Sequence, residues 1–211
     1  MKTHTESEDS YIKALYHLGG DNPVSNGDLA QRIGAKGSSV TQAVKRLSQK
    51  NLVTVVPYKG VQLTEDGVLL AKSILRKHRL WETFLVDTLG FGWDQVHPLA
   101  EQLEHVQSEE LVERLSEFLG APKHDPHGDP IPKADGTFHP EGEVLVLAEL
   151  NPLVRCEVKA VREGSDATLS AMSAKGIALG SVLTPAQIEA LPAAWLDQLM
   201  VCKTVDDGSI D

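Results

Sequence analysis

The chain holds only two cysteines in 211 residues, Cys156 and Cys202. They form neither a close pair nor a CxxC motif, so a disulfide framework is excluded and free thiols in a reducing compartment are expected. Long apolar runs are also missing. No stretch approaches the ~18 uninterrupted apolar residues of a membrane helix. The first residues, Met1-Lys2-Thr3-His4-Thr5-Glu6-Ser7-Glu8-Asp9, carry no apolar segment of a secretory leader. The expectation is a cytoplasmic chain with no membrane partner. The sequence also lacks HExxH and any Ser/His/Asp arrangement, and it shows no internal repeat, so an enzyme is not expected. What is present is ordinary for a globular protein, with 41% hydrophobic and 24% charged residues. A chain of this size buries roughly 70% of its unfolded surface without crosslinks.

The formal net charge of −10 argues at first against a polyanionic partner. Its distribution argues otherwise. Residues 25–63 hold six Lys/Arg against the single acid Asp28, whereas residues 64–211 hold twelve Lys/Arg against twenty-five Asp/Glu. A basic segment on an otherwise acidic chain is a pattern of nucleic-acid binding, although chance clustering on a solvated surface gives the same count.

Hydrophobic periodicity predicts a helix over 8–19, a short helix from Asn26 to Gly34, and a second helix from Val40 to Leu47 after the turn Ala35-Lys36-Gly37. Ser38 and Ser39 are expected to cap that second helix. Helix, tight turn and helix form the helix-turn-helix pattern. Two β-branched runs, 52–57 and 61–63, flank Tyr58-Lys59-Gly60 and predict a hairpin that serves as a wing. A long helix is expected from Thr64 to about Leu89, then helices over about 94–107 and 108–119. Residues 121–140 carry five of the eleven prolines and read as an extended linker. Beyond it, 143–150 and 155–162 alternate as strands, and 184–199 reads as helical.

Three histidines have carboxylates at helical spacing. His78 and Glu82 are i, i+4. On a later helix His97, Glu101, Glu104 and His105 span an arc of about 100°. Two imidazoles and two carboxylates on one face suit a borderline divalent cation. A solvated amphipathic helix gives the same stripe, because Val96, Leu99, Leu103 and Val106 occupy its opposite face. The other five histidines fall in no ligand grouping. Those at 124 and 127, with Asp125 and Asp129, lie among prolines and read as structural. The cysteines and Trp81, Trp93 and Trp195 read as packing.

The order of winged helix-turn-helix, Arg76-Lys-His-Arg-Leu-Trp-Glu82, Val96-His97, Glu101-Gln-Leu-Glu-His105 and Gly128-Asp-Pro-Ile-Pro132 resembles the diphtheria toxin repressor family. These are metal-activated transcriptional regulators of iron or manganese homeostasis. The resemblance covers residues 8 to about 133. It implies a mainly α fold with small β parts: a winged helix-turn-helix domain over 1–64, a helical metal-binding and dimerisation domain over 65–120, the linker, and an SH3-like β module over 141–211.

The resemblance further implies two metal positions per subunit. His78, Glu82 and His97 match an ancillary site, and Glu101, Glu104 and His105 match a regulatory site. Glutamate rather than cysteine at 101 leans towards Mn²⁺ over softer ions, with Fe²⁺ the alternative. The N-terminal helix of the family supplies a further ligand at the position of Ser10, and Asp9 stands beside it. Asp166, between Ser165 and Thr168, is the one good oxygen donor where long members lend ligands from the C-terminal module.

The chain is thus expected to bind a double-stranded operator as a homodimer. Gln42 is the candidate for base-edge contact with adenine, and Ser38, Ser39 and Thr41 offer hydroxyls. Lys36, Lys45, Arg46 and Lys59 are candidates for phosphate contacts. Two rival readings stand beside this one: a winged-helix regulator that senses an organic ligand and has no metal site, and a metal-dependent hydrolase carrying a DNA-binding module.

Overall fold

The computed structural model describes residues 4–20, 22–139, 145–150, 155–162 and 165–203, apart from the side chains of Asp166 and Lys203. They fall into two compact units, the first drawn from 1–78, 102–110 and 132–137, the second from 79–101, 111–131 and 138–211.

The first unit opens with α1 (Glu6–Gly19), whose start is fixed by a capping box. Thr5 Oγ1 accepts from the Glu8 N–H, and the Glu8 carboxylate accepts from the Thr5 N–H at 2.9 Å. Next come α2 (Asn26–Ile33), capped by Ser25 and closed by Gly34 in the left-handed conformation, and α3 (Gly37–Gln49). The expected serine caps of α3 are not there. The Lys36 carbonyl already accepts from the N–H groups of Ser39 and Val40, so the helical ladder begins at Lys36 and both serines lie inside the first turn. Strands β1 (Val53–Val56) and β2 (Gly60–Leu63) form the expected antiparallel hairpin. Val24 and Val61 exchange two backbone hydrogen bonds of 2.8 Å, which tie the hairpin to the segment before α2. Ile12, Leu15, Leu29, Val40, Leu47 and Ile74 are sealed in one core. Helix α4 (Glu65–Asp87) follows, close to its predicted length.

Helix α5 (His97–Leu103) is shorter than the periodicity predicted. Pro98 in its first turn favours a start there. Glu104 and His105 lie in the turn beyond its end. Helix α6 (Glu109–Phe118) agrees with expectation.

In the second unit, residues 121–131 are not an extended linker. Asp125 Oδ1 accepts from the N–H groups of His127 and Asp129, closing a tight turn, and His124 bridges to Pro130. Gly128 sits at φ 87° where a Cβ would lie 2.0 Å from the Lys159 carbonyl oxygen. Ile131 is fully buried with Leu80, Val112 and Leu115. Prolines restrict the chain here, but side-chain-to-backbone bonds satisfy the turn and let it pack.

The C-terminal part holds β3 (Leu145–Val146), β4 (Cys156–Val161), α7 (Asp166–Ala174), β5 (Val182–Leu183), α8 (Pro185–Glu189), α9 (Ala193–Leu196) and β6 (Leu199–Lys203). The strands form an antiparallel sheet in the order β3-β6-β4-β5. The first predicted strand is short, because Leu147–Glu149 turns into a 3₁₀ helix; residues 143–144 lie outside the described residues. The continuous helix expected over 184–199 is two short helices and the start of a strand. Pro192, which cannot donate a backbone hydrogen bond, separates the helices, and the pairing of β6 with β4 claims the residues from Leu199 onward. Among the described residues no helix is long and apolar enough to cross a membrane.

Two glycines separate backbone need from side-chain space. At Gly60, with φ 128°, a Cβ would stand 2.0 Å from the Val24 carbonyl oxygen, whereas at Gly37, inside α3, it would meet nothing within 4 Å. Gly60→Ala should lower the unfolding free energy by about 2 kcal/mol. Gly37→Ala should raise it by roughly 0.5–1 kcal/mol. Urea denaturation of both variants checks the contrast.

Candidate metal centre

Within the first unit, side chains from α1, α4 and the turn after α5 converge. His78 Nδ1 lies 2.6 Å from Glu104 Oε2, and Lys13 Nζ donates to both Glu104 oxygens at 2.8 Å. His105 Nδ1 lies 3.1 Å from Asp9 Oδ2, and His4 Nδ1 abuts the other Asp9 oxygen. Glu104 and Asp9 are almost fully buried, as are Lys77 and His78. Burial alone would raise the Glu104 carboxyl pKa. The hydrogen bond with His78 and the Lys13 ammonium outweigh it and hold the group below its usual value. Burial lowers the Lys77 ammonium, against the pull of Asp9 and Glu104.

Helix α1 also faces the helix-turn-helix. Glu8, 2% exposed, accepts from Lys50 Nζ at 2.7 Å, and Arg46 Nε stands 4.0 Å away. Successive residues on a helix point about 100° apart. Glu8 therefore reaches the end of α3 while Asp9, the next residue, reaches His105.

The second unit holds another cluster. Glu82 Oε1 is 3.2 Å from His97 Nδ1, and Glu82 Oε2 is 3.6 Å from His127 Nδ1. One donor atom each from Glu82, Asp125 and His127 lie within 4.8 Å of one another, all three buried. The Trp93 carbonyl can only accept, so His127 Nε2, 2.7 Å from it, carries a proton. Nδ1 is thereby aimed at the two carboxylates, as a ligand-orienting bond would aim it. The ring also stacks on Trp93. Arg79 faces Asp125 and Asp129 at 3.6 and 3.7 Å. Burial, with Asp129 and Glu82 nearby, raises the Asp125 carboxyl pKa to about 7. The His127 imidazole is raised to about 9, because its bond to Glu82 and the charges of Glu82 and Asp125 overcome burial.

The expected residues are thus distributed as follows. Glu82 and His97 meet in the second unit, and exposed Glu101 lies 3.7 Å from His97. Glu104 and His105 meet donors in the first unit, where His78 Nδ1 is engaged by Glu104. Ser10 is not turned to that cluster; it is exposed and its hydroxyl donates to the Glu6 carbonyl, leaving Asp9 as the α1 donor. The side chain of Asp166 lies outside the described residues. His127, with Asp125, is the residue that sequence reasoning set aside as structural. Its signal was the His124-Asp-Pro-His-Gly-Asp129 run, in which four donors sit in six residues. Oxygen and imidazole donors without thiolate fit a hard or borderline divalent ion.

The eight candidate DNA contacts, Lys36, Ser38, Ser39, Thr41, Gln42, Lys45, Arg46 and Lys59, are all exposed in the first unit. Thr41 donates back to the Gly37 carbonyl, and Arg46 is shared with Glu8. Thr41, Lys45 and Lys59 border an open cleft of about 690 Å³ between α3 and the wing.

The raised His127 pKa carries a stability consequence. In the unfolded chain the group titrates near 6.5, in the folded chain near 9. The protonated ring is thus favoured by folding, and its contribution is complete below pH 6.5 and lost as pH rises through about 9. Asp125, also raised, loses its contribution lower, as pH rises from 3.8 through about 7. In EDTA, unfolding free energy should fall by about 3 kcal/mol between pH 6.5 and 9. His127→Gln should flatten that slope, as urea titrations across the range will show.

Residues 3–61 match the iron dependent repressor N-terminal DNA binding domain, and residues 64–133 match the iron dependent repressor metal binding and dimerisation domain. The chain is 37% identical over 134 residues to the iron-dependent repressor IdeR of Mycobacterium tuberculosis, a match spanning 63% of this chain and 58% of that protein. It is 35% identical over 137 residues to the diphtheria toxin repressor of Corynebacterium diphtheriae, covering 64% of this chain and 60% of the relative. The match therefore spans under two thirds of the length of these relatives. A solved manganese-dependent transcriptional repressor in complex with manganese superposes with a TM-score of 0.80 at 31% identity, covering 93% of this chain and 100% of that one. The chain belongs to the iron-dependent repressor family, that of the diphtheria toxin repressor.

Proposed function

We propose that this chain is a regulator rather than an enzyme: a DNA-binding transcriptional repressor of metal-homeostasis genes, activated by Mn²⁺ or Fe²⁺ and acting as a homodimer on a double-stranded operator. The observation that carries the reading is the double engagement of α1. Glu8 pairs with Lys50 at the end of α3, and Asp9 beside it pairs with His105. Whatever fixes Asp9 against the turn after α5 also fixes the helix that holds the recognition helix.

Two metal sites per subunit are proposed. The regulatory site draws on Glu104 and His105, with Asp9 in place of Ser10 and Glu101 implied by the family pattern. The ancillary site draws on Glu82 and His97, to which the family pattern adds His78 and the local geometry adds Asp125 and His127. A bound divalent ion supplies positive charge that offsets carboxylates brought close together. The acidic and imidazole donors suit Mn²⁺ or Fe²⁺, and glutamate at 101 leans towards Mn²⁺.

The rest is done by residues of the chain. Exposed Gln42, near the middle of α3, can pair bidentately with adenine in the major groove. Ser38, Ser39 and Thr41 stand towards the start of the same helix. Lys36, Lys45, Lys59 and Arg46 serve phosphates, which give affinity and register without sequence information. Leu111 and Phe118 on α6 are 41% and 67% exposed and offer apolar surface for a second subunit. The proposed functional domains are a winged helix-turn-helix domain over 1–64, a metal-binding and dimerisation domain over 65–120 and a C-terminal β module over 141–211.

Fluorescence anisotropy on a labelled operator tests the reading. Affinity in saturating Mn²⁺ should exceed affinity in EDTA by about tenfold or more, and Glu104→Ala should remove the difference. Glu8→Gln should bind Mn²⁺ as wild type does yet lose most of the gain in DNA affinity. Equal affinity with and without metal contradicts the proposal, and it is the outcome expected of an organic-ligand sensor.

A further inference from the structure

Lys13 is not among the ligands of any site above, yet it sits in the first of them. Its ammonium lies 2.8 Å from both oxygens of Glu104, a carboxylate 3% exposed, while His78 Nδ1 takes one of the same oxygens at 2.6 Å. Lys13 stands four residues after Asp9 on α1, and so on the same face of that helix. Asp9 and Glu104 also share the field of the buried Lys77. Without metal, two lysines thus neutralise two buried carboxylates. A divalent ion placed on Glu104 within a few ångströms of the Lys13 ammonium would meet strong repulsion in so dry a place.

We propose that Lys13 is a tethered competitor for the metal ion at Glu104, whose ammonium must leave the carboxylate before the ion binds, so that Lys13 sets the metal concentration at which the chain responds. The inference rests on the metal reading of Glu104. A flexible four-carbon stem allows the exchange, since the ammonium can swing to water and give up its place without movement of the helix. The displaced charge keeps the ion's affinity low enough for release when metal becomes scarce.

The test is Mn²⁺ binding to the full chain without DNA, followed by calorimetry and by the electron paramagnetic resonance signal of the free ion. Lys13→Gln, which keeps a hydrogen-bond donor and removes the charge, should lower the half-saturating Mn²⁺ concentration about tenfold. Lys13→Arg, which keeps both charge and paired donors, should stay within about twofold of wild type. Lys13→Gln should also melt earlier than wild type in EDTA and recover most of that loss in saturating Mn²⁺. If Lys13 only holds the fold together, Lys13→Gln will melt earlier and bind Mn²⁺ no more tightly, which overturns the proposal while leaving the metal reading intact. Failure of wild type and Lys13→Gln alike to bind Mn²⁺ overturns both.

Discussion

Two neighbouring carboxylates on one helix, Glu8 and Asp9, are taken out of water, and the first unit is organised around that fact. A buried carboxylate without a partner costs several kcal/mol, on the order of the whole stability margin of a domain. Each must therefore be met by a cation or donor, and the helical rotation between adjacent residues sends the two in different directions. Glu8 is met by Arg46 of α3 and by Lys50 at its end, so α3 cannot move from α1 without exposing or orphaning a charge. Asp9 is met by His105 and His4, so α1 cannot move from the turn after α5 without a similar loss. Pairs of this kind contribute modestly when intact and cost much when broken, which suits a switch better than a strut.

The second unit solves the same problem by another route. Asp125 is spent partly on its own turn, accepting from two backbone N–H groups, and partly on Arg79. His127 is held between the Trp93 carbonyl and Glu82, with its ring against the indole. The cluster is assembled by a turn that proline and glycine make possible, and the close approach of Gly128 to Lys159 packs that turn onto β4. If this cluster holds a metal as proposed, proton and metal would compete for the same imidazole nitrogen, which would tie metal affinity to pH.

Much of this was legible in the sequence because it is written in local periodicity. The spacing of Val40, Ala43, Val44 and Leu47 gave α3, the β-branched runs around Tyr58 gave the wing, and the run between Thr64 and the glycines at 90 and 92 gave α4. The paired histidines and glutamates of 78–105 were visible for the same reason. Non-local satisfaction was not. Proline count suggested an extended 121–140, yet one aspartate side chain closed the turn and buried it. Helical spacing carried α5 through Glu104 and His105, but those side chains find their partners on α1 and α4 from the turn beyond the helix. His127 and Asp125 are two residues apart, a spacing that no helix pattern flags, and Glu82 joins them only through the fold. Asp9 rather than Ser10 faces His105, a difference of one helical step that sequence position alone does not decide.

The central claim is that the proposed metal site around Glu104 and the proposed recognition helix α3 are joined through α1. Hydrogen exchange of the full chain without DNA, compared in EDTA and in saturating Mn²⁺, tests it most directly. The account predicts that amides of α1 and of the C-terminal half of α3 slow together with those around Glu104. Slowing confined to the neighbourhood of Glu104 and His105, with α3 unchanged while Mn²⁺ is bound, would contradict it.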